Sequence, residues 1–114
     1  MDTTDMILLY DYYGALLTKR QQECFELRYN QDLSLGEIGQ ELGISRQGVF
    51  DNLNRAEALL ANMEEKTGCV RRDRACRKVI ADIQKAAEVL CCNGDPAVVD
   101  LAQKIKASID AVEE

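Results

Sequence analysis

The sequence predicts an all-α protein, with a helix-turn-helix at its centre and additional helices before and after it. Three observations carry this. Apolar residues recur at intervals of three and four along most of the 114 residues, the period of one helix face. Two capping boxes, Thr18 to Gln21 and Ser34 to Glu37, mark helix starts inside the chain, each pairing a cap hydroxyl with a side chain three residues on. The chain has one proline, no tryptophan and 5% aromatic residues, whereas a β-sandwich needs aromatic and β-branched strands with frequent turn residues.

Residues 4–16 form the first predicted helix, with Ile7, Leu8, Leu9, Tyr12, Tyr13 and Leu16 on a wide apolar face and Gly14 weakening its end. Thr18 opens a second helix that runs to about Tyr29 and offers Cys24, Phe25 and Leu27 to a core; Asn30-Gln31-Asp32 is a turn. Ser34 opens a short helix with Leu35, Ile38 and Leu42 on one face, and Gly43 follows where a helix end favours a left-handed residue. Ser45 caps the next helix only two residues later, which is the form of a helix-turn-helix.

That next helix extends from Arg46 to about Lys66, ending before Gly68. Gly48 in its first turn lowers helix propensity by about 1 kcal/mol relative to alanine. Val49, Leu53, Ala56, Leu60 and Met63 lie at spacings of four, three, four and three, a seam near the coiled-coil period that suits another helix of this chain or of a second subunit. A further helix, about Arg72 to Leu90, has Val79, Ile83, Ala86 and Leu90 in one stripe. Asn93-Gly94 is a turn, Asp95 a cap, and Pro96 takes the favoured first position of a last helix. Val98, Leu101, Ala102, Ile105, Ile109 and Val112 line one face of that helix, to about Val112. The expected organisation is residues 1–68 as the N-terminal helix plus helix-turn-helix, with 69–114 a helical extension packed on the same body.

Composition narrows the chemistry. Histidine is absent, which removes Ser-His and Cys-His nucleophiles, histidine general bases and histidine metal sites. The glycines are scattered singly, so no phosphate-cradling loop is present. Glu64 and Glu65 are neighbours that diverge on a helix and make no catalytic dyad. A binding protein, not an enzyme, is expected, with no cofactor. Five cysteines without a C-x-x-C spacing, and an acidic start without an export signal, point to free thiols in the cytoplasm and not to a zinc site. No run of about eighteen apolar residues is available for membrane insertion.

The candidate binding residues fall in two groups. The first turns of a recognition helix face base edges, which singles out Ser45, Arg46, Gln47, Phe50, Asp51 and Asn54, with Arg55 beside them. Arg46 suits guanine and Gln47 adenine, whereas Asp51 repels phosphate. Phe50 is either core or an exposed stacking or protein-anchoring ring. The bland alternative makes Arg46, Asp51 and Arg55 surface charges paired along the helix. Charge weighs against generic nucleic-acid attraction: the chain carries a net −6, and residues 18–62 hold five cations against seven anions. The second group is the basic run Arg71, Arg72, Arg74, Arg77 and Lys78, set against a single acid, Asp73. Its face suits RNA phosphates, an acidic neighbour or simple solvation.

Residues Leu17 to Leu60 resemble region four of bacterial sigma factors, through Leu17-Thr18, Arg20, Glu23 and Leu27-Arg28-Tyr29, then Ser34-Leu35, Glu37-Ile38, Leu42-Gly43-Ile44-Ser45-Arg46 and Val49. Nearly the full chain resembles the YlxM-type family of small bacterial helix-turn-helix proteins. The residues that carry this are the acidic, tyrosine-rich start ending in Leu16-Leu17-Thr18, the run Leu33 to Ile38, and Ile44-Ser45-Arg46-Gln47 with Asp51-Asn52 and Arg55. Genes of that family typically neighbour those for the signal recognition particle and its receptor. The resemblance therefore implies a regulatory or accessory role in that pathway, with the particle's RNA or its GTPase as partner. Sequence-specific binding of duplex DNA as a transcription regulator is the alternative, and a helix-turn-helix turned protein adaptor is a third. The Val49–Met63 seam and the apolar last helix also lead us to expect a homodimer, whose two-fold would use one patch twice.

Overall fold

The computed structural model describes residues 2–113. Six α-helices follow one another: α1 (Thr3–Tyr13), α2 (Lys19–Tyr29), α3 (Leu35–Leu42), α4 (Arg46–Thr67), α5 (Cys69–Cys91) and α6 (Pro96–Glu113), with a 3-10 turn at Gly14–Leu16. No strand occurs among the described residues. The chain divides into two compact units, residues 1–70 and 71–114.

In the first unit each helix starts on a side-chain cap. Asp2 accepts from the Asp5 backbone N–H at 2.8 Å, Ser45 accepts from Gly48 at 2.9 Å, and both capping boxes at Thr18 and Ser34 are closed in both directions. The Glu37 carboxylate accepts from the Ser34 N–H at 3.1 Å. Its hydrogen bonds with Ser34 hold it below the usual carboxylate range. The first helix ends earlier than the sequence predicts, at Tyr13, because the Leu17 N–H bonds back to Gly14 O at 3.1 Å and tightens the last turn.

Two clusters fill this unit, and α4 spans both. Val49 and Leu53 join Cys24 and Ile38 beneath the helix-turn-helix, while Ala56 and Leu60 join Leu9, Tyr13 and Phe25 under α1 and α2. Four of the five seam residues are buried and Met63 is half-buried. Of the two partners the sequence left open for this seam, it packs on helices of its own chain, α1, α2 and α3. Burial continues past Met63 to Glu64. Phe25 lies between two rings, stacked on Tyr10 at 4.4 Å between centroids and on Tyr29 at 4.2 Å.

Three tyrosines of the first cluster and its margin brace the unit through their hydroxyls. Tyr10 donates to Glu26 at 2.7 Å, Tyr29 to Glu57 at 2.6 Å and Tyr13 to Glu64 at 2.8 Å, tying α1 to α2, α2 to α4 and α1 to α4. Burial, then the neighbouring carboxylate, pushes the Tyr10 and Tyr29 phenols up to about 12. An unfolded tyrosine loses its proton near pH 10, so between about pH 10 and 12 the unfolded chain binds fewer protons than the native one and stability falls as pH rises. Chemical unfolding across that range is expected to show this fall, with a shallower slope for the Tyr10→Phe/Tyr29→Phe variant. An equal slope in both proteins contradicts the assignment.

The second unit is a two-helix hairpin. Asp95 closes its turn by accepting from the Ala97 N–H at 3.0 Å, one residue past Pro96. Its buried side chains are Ala87, Ala102 and Ile109. Two expectations change here. Helix α5 begins at Cys69 rather than near Arg72, where Glu64 Oε1 accepts from the Val70 N–H at 3.1 Å and Thr67 Oγ1 from the Cys69 N–H at 3.4 Å. The covered stripe of α5 is also displaced by one residue: Ile80, Gln84, Ala87 and Cys91 are buried or half-buried, whereas Val79, Ile83, Ala86 and Leu90 stand exposed. On α6, Ala102 and Ile109 turn inward while Leu101, Ile105 and Val112 do not. One neighbouring helix covers only part of an apolar face this wide, and small alanines permit the closest approach.

Candidate functional site

The helix-turn-helix is held in shape by close backbone approach. Gly43 adopts the left-handed conformation at the end of α3 (φ 70°) and the Ile44 N–H bonds back to Gly39 O at 3.0 Å, which closes the turn as in a Schellman motif. A Cβ on Gly39 would stand 2.7 Å from the Ile44 carbonyl oxygen. Sequence reasoning missed this residue. Its available signal was a glycine inside a short helix, where the propensity loss calls for a packing reason.

Two of the five cations of residues 18–62 serve the scaffold. The Arg20 guanidinium donates to Leu42 O at 3.3 Å and pairs with Glu23 at 3.5 Å. Arg28 donates to Leu33 O at 2.9 Å. They satisfy carbonyls at the end of α3 and in the loop before it, which helix ends leave without partners.

The structure brings the first group of candidate residues onto one face. Ser45, Arg46, Gln47, Phe50, Asp51, Asn54 and Arg55 are all exposed. The alternative placing Phe50 in the core is excluded, since its ring is 45% exposed. With Leu35, Arg46 and Gln47 it lines an open depression of about 460 Å³. Within the face, the Gln47 amide donates to Asp51 at 3.1 Å, so Asp51 is held by Gln47. Asn52, turned from the face, donates to Gly48 O at 2.8 Å. The Ser45 hydroxyl already caps α4. The functional groups pointing outward are therefore the Phe50 ring and the Arg46, Asn54 and Arg55 side chains. A smaller groove between α2 and α3, lined by Glu23, Glu26 and Glu41, is acidic and repels phosphate on that side.

The second group lies elsewhere. Arg71, Arg74, Arg77 and Lys78 are exposed along α5 in the second unit. Cys24 is buried, and that burial pushes its thiol up and away from the reactive thiolate. No group of three or more metal-ligating side chains gathers among the described residues, and no helix among them is long and apolar enough to cross a membrane.

Comparison with known proteins bears on the same elements. Residues 1–91, which contain α1 to α5, match the model of a family described as helix-turn-helix, YlxM / p13 like (UPF0122). A UPF0122 protein of Thermoanaerobacter sp. (strain X514) is 45% identical over 106 residues, covering 92% of this chain and 91% of its own. One of Caldanaerobacter subterraneus subsp. tengcongensis is 54% identical over 80 residues, covering 70% and 68%. Another, of Bacillus cereus (strain AH187), is 41% identical over 83 residues, covering 73% and 76%. With the capped α3–turn–α4 geometry in the middle of the matched region, the chain belongs to the UPF0122 family of YlxM / p13-like helix-turn-helix proteins.

Proposed function

We propose that this protein is a small regulatory or accessory factor of the signal recognition particle pathway, and that it acts by binding the particle's RNA through the α3–α4 face. The pathway rests on the gene neighbourhood typical of the family. The RNA rests on one observation: Phe50 is exposed in the recognition helix, beside Arg46 and above Leu35. In a paired major groove an aromatic ring finds only the thymine methyl to contact. It matches well with the face of an unpaired base in an RNA loop, with an arginine alongside. Charge agrees, because this face lacks the row of free cations that duplex binding draws on.

Titration of the particle's RNA across a salt series tests the reading. Submicromolar binding is expected, and Phe50→Ala is expected to weaken it by about 1–3 kcal/mol, the contribution of one stacked base. Binding that Phe50→Ala leaves unchanged contradicts the stacking arrangement. A second reading, sequence-specific duplex DNA, is favoured by Arg46 standing exposed in the first turn of α4. It predicts preferential duplex binding and a loss of about 1–3 kcal/mol at one base position for Arg46→Ala. If neither nucleic acid binds, the same depression becomes a docking point for the pathway's GTPase.

A further inference from the structure

We propose that the exposed apolar seam of α5, extended by Leu101 and Ile105 of α6, is the contact face for a second copy of this chain, set antiparallel about a two-fold axis. The inference concerns the second unit alone and does not rest on the RNA reading.

The seam is the first observation. Val79, Ile83, Ala86 and Leu90 follow one another at intervals of four, three and four, and the three larger side chains are 55%, 43% and 40% exposed. The adjoining stripe of Ile80, Gln84, Ala87 and Cys91 is the one that is covered. Helix α5 therefore carries two neighbouring apolar stripes, and only one is satisfied. The open one has the spacing of a helix-on-helix seam, in which knobs from one helix enter holes of another. Such a seam is complementary to itself: when two copies run in opposite directions, Val79 of one falls opposite Leu90 of the other and Ile83 opposite Ala86.

Charge selects the occupant and its direction. Residues 71–85 hold six cations (Arg71, Arg72, Arg74, Arg77, Lys78 and Lys85) against two acids, a net of +4. Residues 86–99, the far end of α5 with the turn and the start of α6, hold Glu88 and Asp95 and no cation, and the next acid, Asp100, is paired with Lys104 at 3.1 Å. A parallel pair sets the basic halves against each other. An antiparallel pair lays each basic half along the acidic tip of the other copy, and the two-fold makes that match twice. One copy thus already presents both the apolar seam and the opposite charge that a second copy requires.

Analytical ultracentrifugation of the full-length protein, with reductant and without nucleic acid, tests the proposal. A dimer is expected at micromolar concentration, dissociating more readily as salt rises. Ile83→Glu is expected to weaken it at least tenfold with helical content unchanged. Reversing Lys78 to glutamate is expected to weaken it, and reversing Glu88 to lysine in the same chain to restore it. That restoration reads the interface directly, whether or not Ile83→Glu folds. A wild-type protein monomeric up to about 100 micromolar overturns the proposal, as does a dimer unaffected by Ile83→Glu and by the charge reversals.

Discussion

Phe25→Ala is expected to lower the unfolding free energy of this protein by about 3–5 kcal/mol, the range for removing a large buried aromatic ring. The ring is 1% exposed and sits between Tyr10 and Tyr29, with interplanar angles of 8° and 21°. Its loss leaves a slot between two flat rings whose hydroxyls are anchored on Glu26 and Glu57. Those anchors keep the tyrosines from closing over the gap, so the cavity persists and the cost belongs at the upper end of the range. Domains of this size are stable by only about 5–15 kcal/mol, which makes the variant marginal at 37 °C. Urea unfolding at 25 °C measures the loss, and Phe25→Leu, which keeps much of the volume, is expected to recover at least a third of it. A loss for Phe25→Ala below about 1 kcal/mol is incompatible with this three-ring stack.

The second large effect is a reversal of sign within a single helix. Glycine inside a helix is less favourable than alanine by about 0.8–1.0 kcal/mol, so propensity alone makes both Gly36→Ala and Gly39→Ala stabilising. Gly36 has nothing within 4 Å of an added methyl, and the gain is expected there. At Gly39 the methyl meets the Ile44 carbonyl oxygen at 2.7 Å. That oxygen is backbone, in a turn closed by the Ile44 N–H on Gly39 O, so relief requires the whole turn to move. Overpacking of this kind costs about 1–3 kcal/mol, and displacing the turn also disturbs the start of α4. Gly39→Ala is therefore expected to destabilise the protein by about 2 kcal/mol and to weaken the proposed RNA binding, measured by urea unfolding and RNA titration. A stabilised Gly39→Ala variant removes the close approach as the reason for glycine at this position.

How far the sequence disclosed this depended on the distance over which each signal acts. The capping boxes at Thr18 and Ser34, the left-handed Gly43 and the cap at Ser45 are interactions within three or four residues, and the helix-turn-helix was legible from them to the residue. The family was legible too, through the same stretch. The binding face was legible as a set: once α3, the turn and α4 are placed, the positions from Ser45 to Arg55 that miss the Val49–Leu53 side must face outward. Phe50 was undecided, because an aromatic one residue from a core position is read equally well as core or surface until its neighbours are known.

The sequence by itself determined the order of the helices, the caps at Thr18, Ser34 and Ser45 and the helix-turn-helix they frame, all from local hydrogen bonds and periodicity. Tertiary structure alone decided which apolar stripes are covered. The α4 seam and the α5 seam look alike in spacing, yet Val49 to Leu60 is enclosed by α1, α2 and α3 while Val79 to Leu90 is open. Periodicity states that a face seeks a partner, and only the packing of distant segments shows which partner it has. The same holds for Gly39 and for the three tyrosine–glutamate bonds, whose partners lie five, sixteen, twenty-eight and fifty-one residues away.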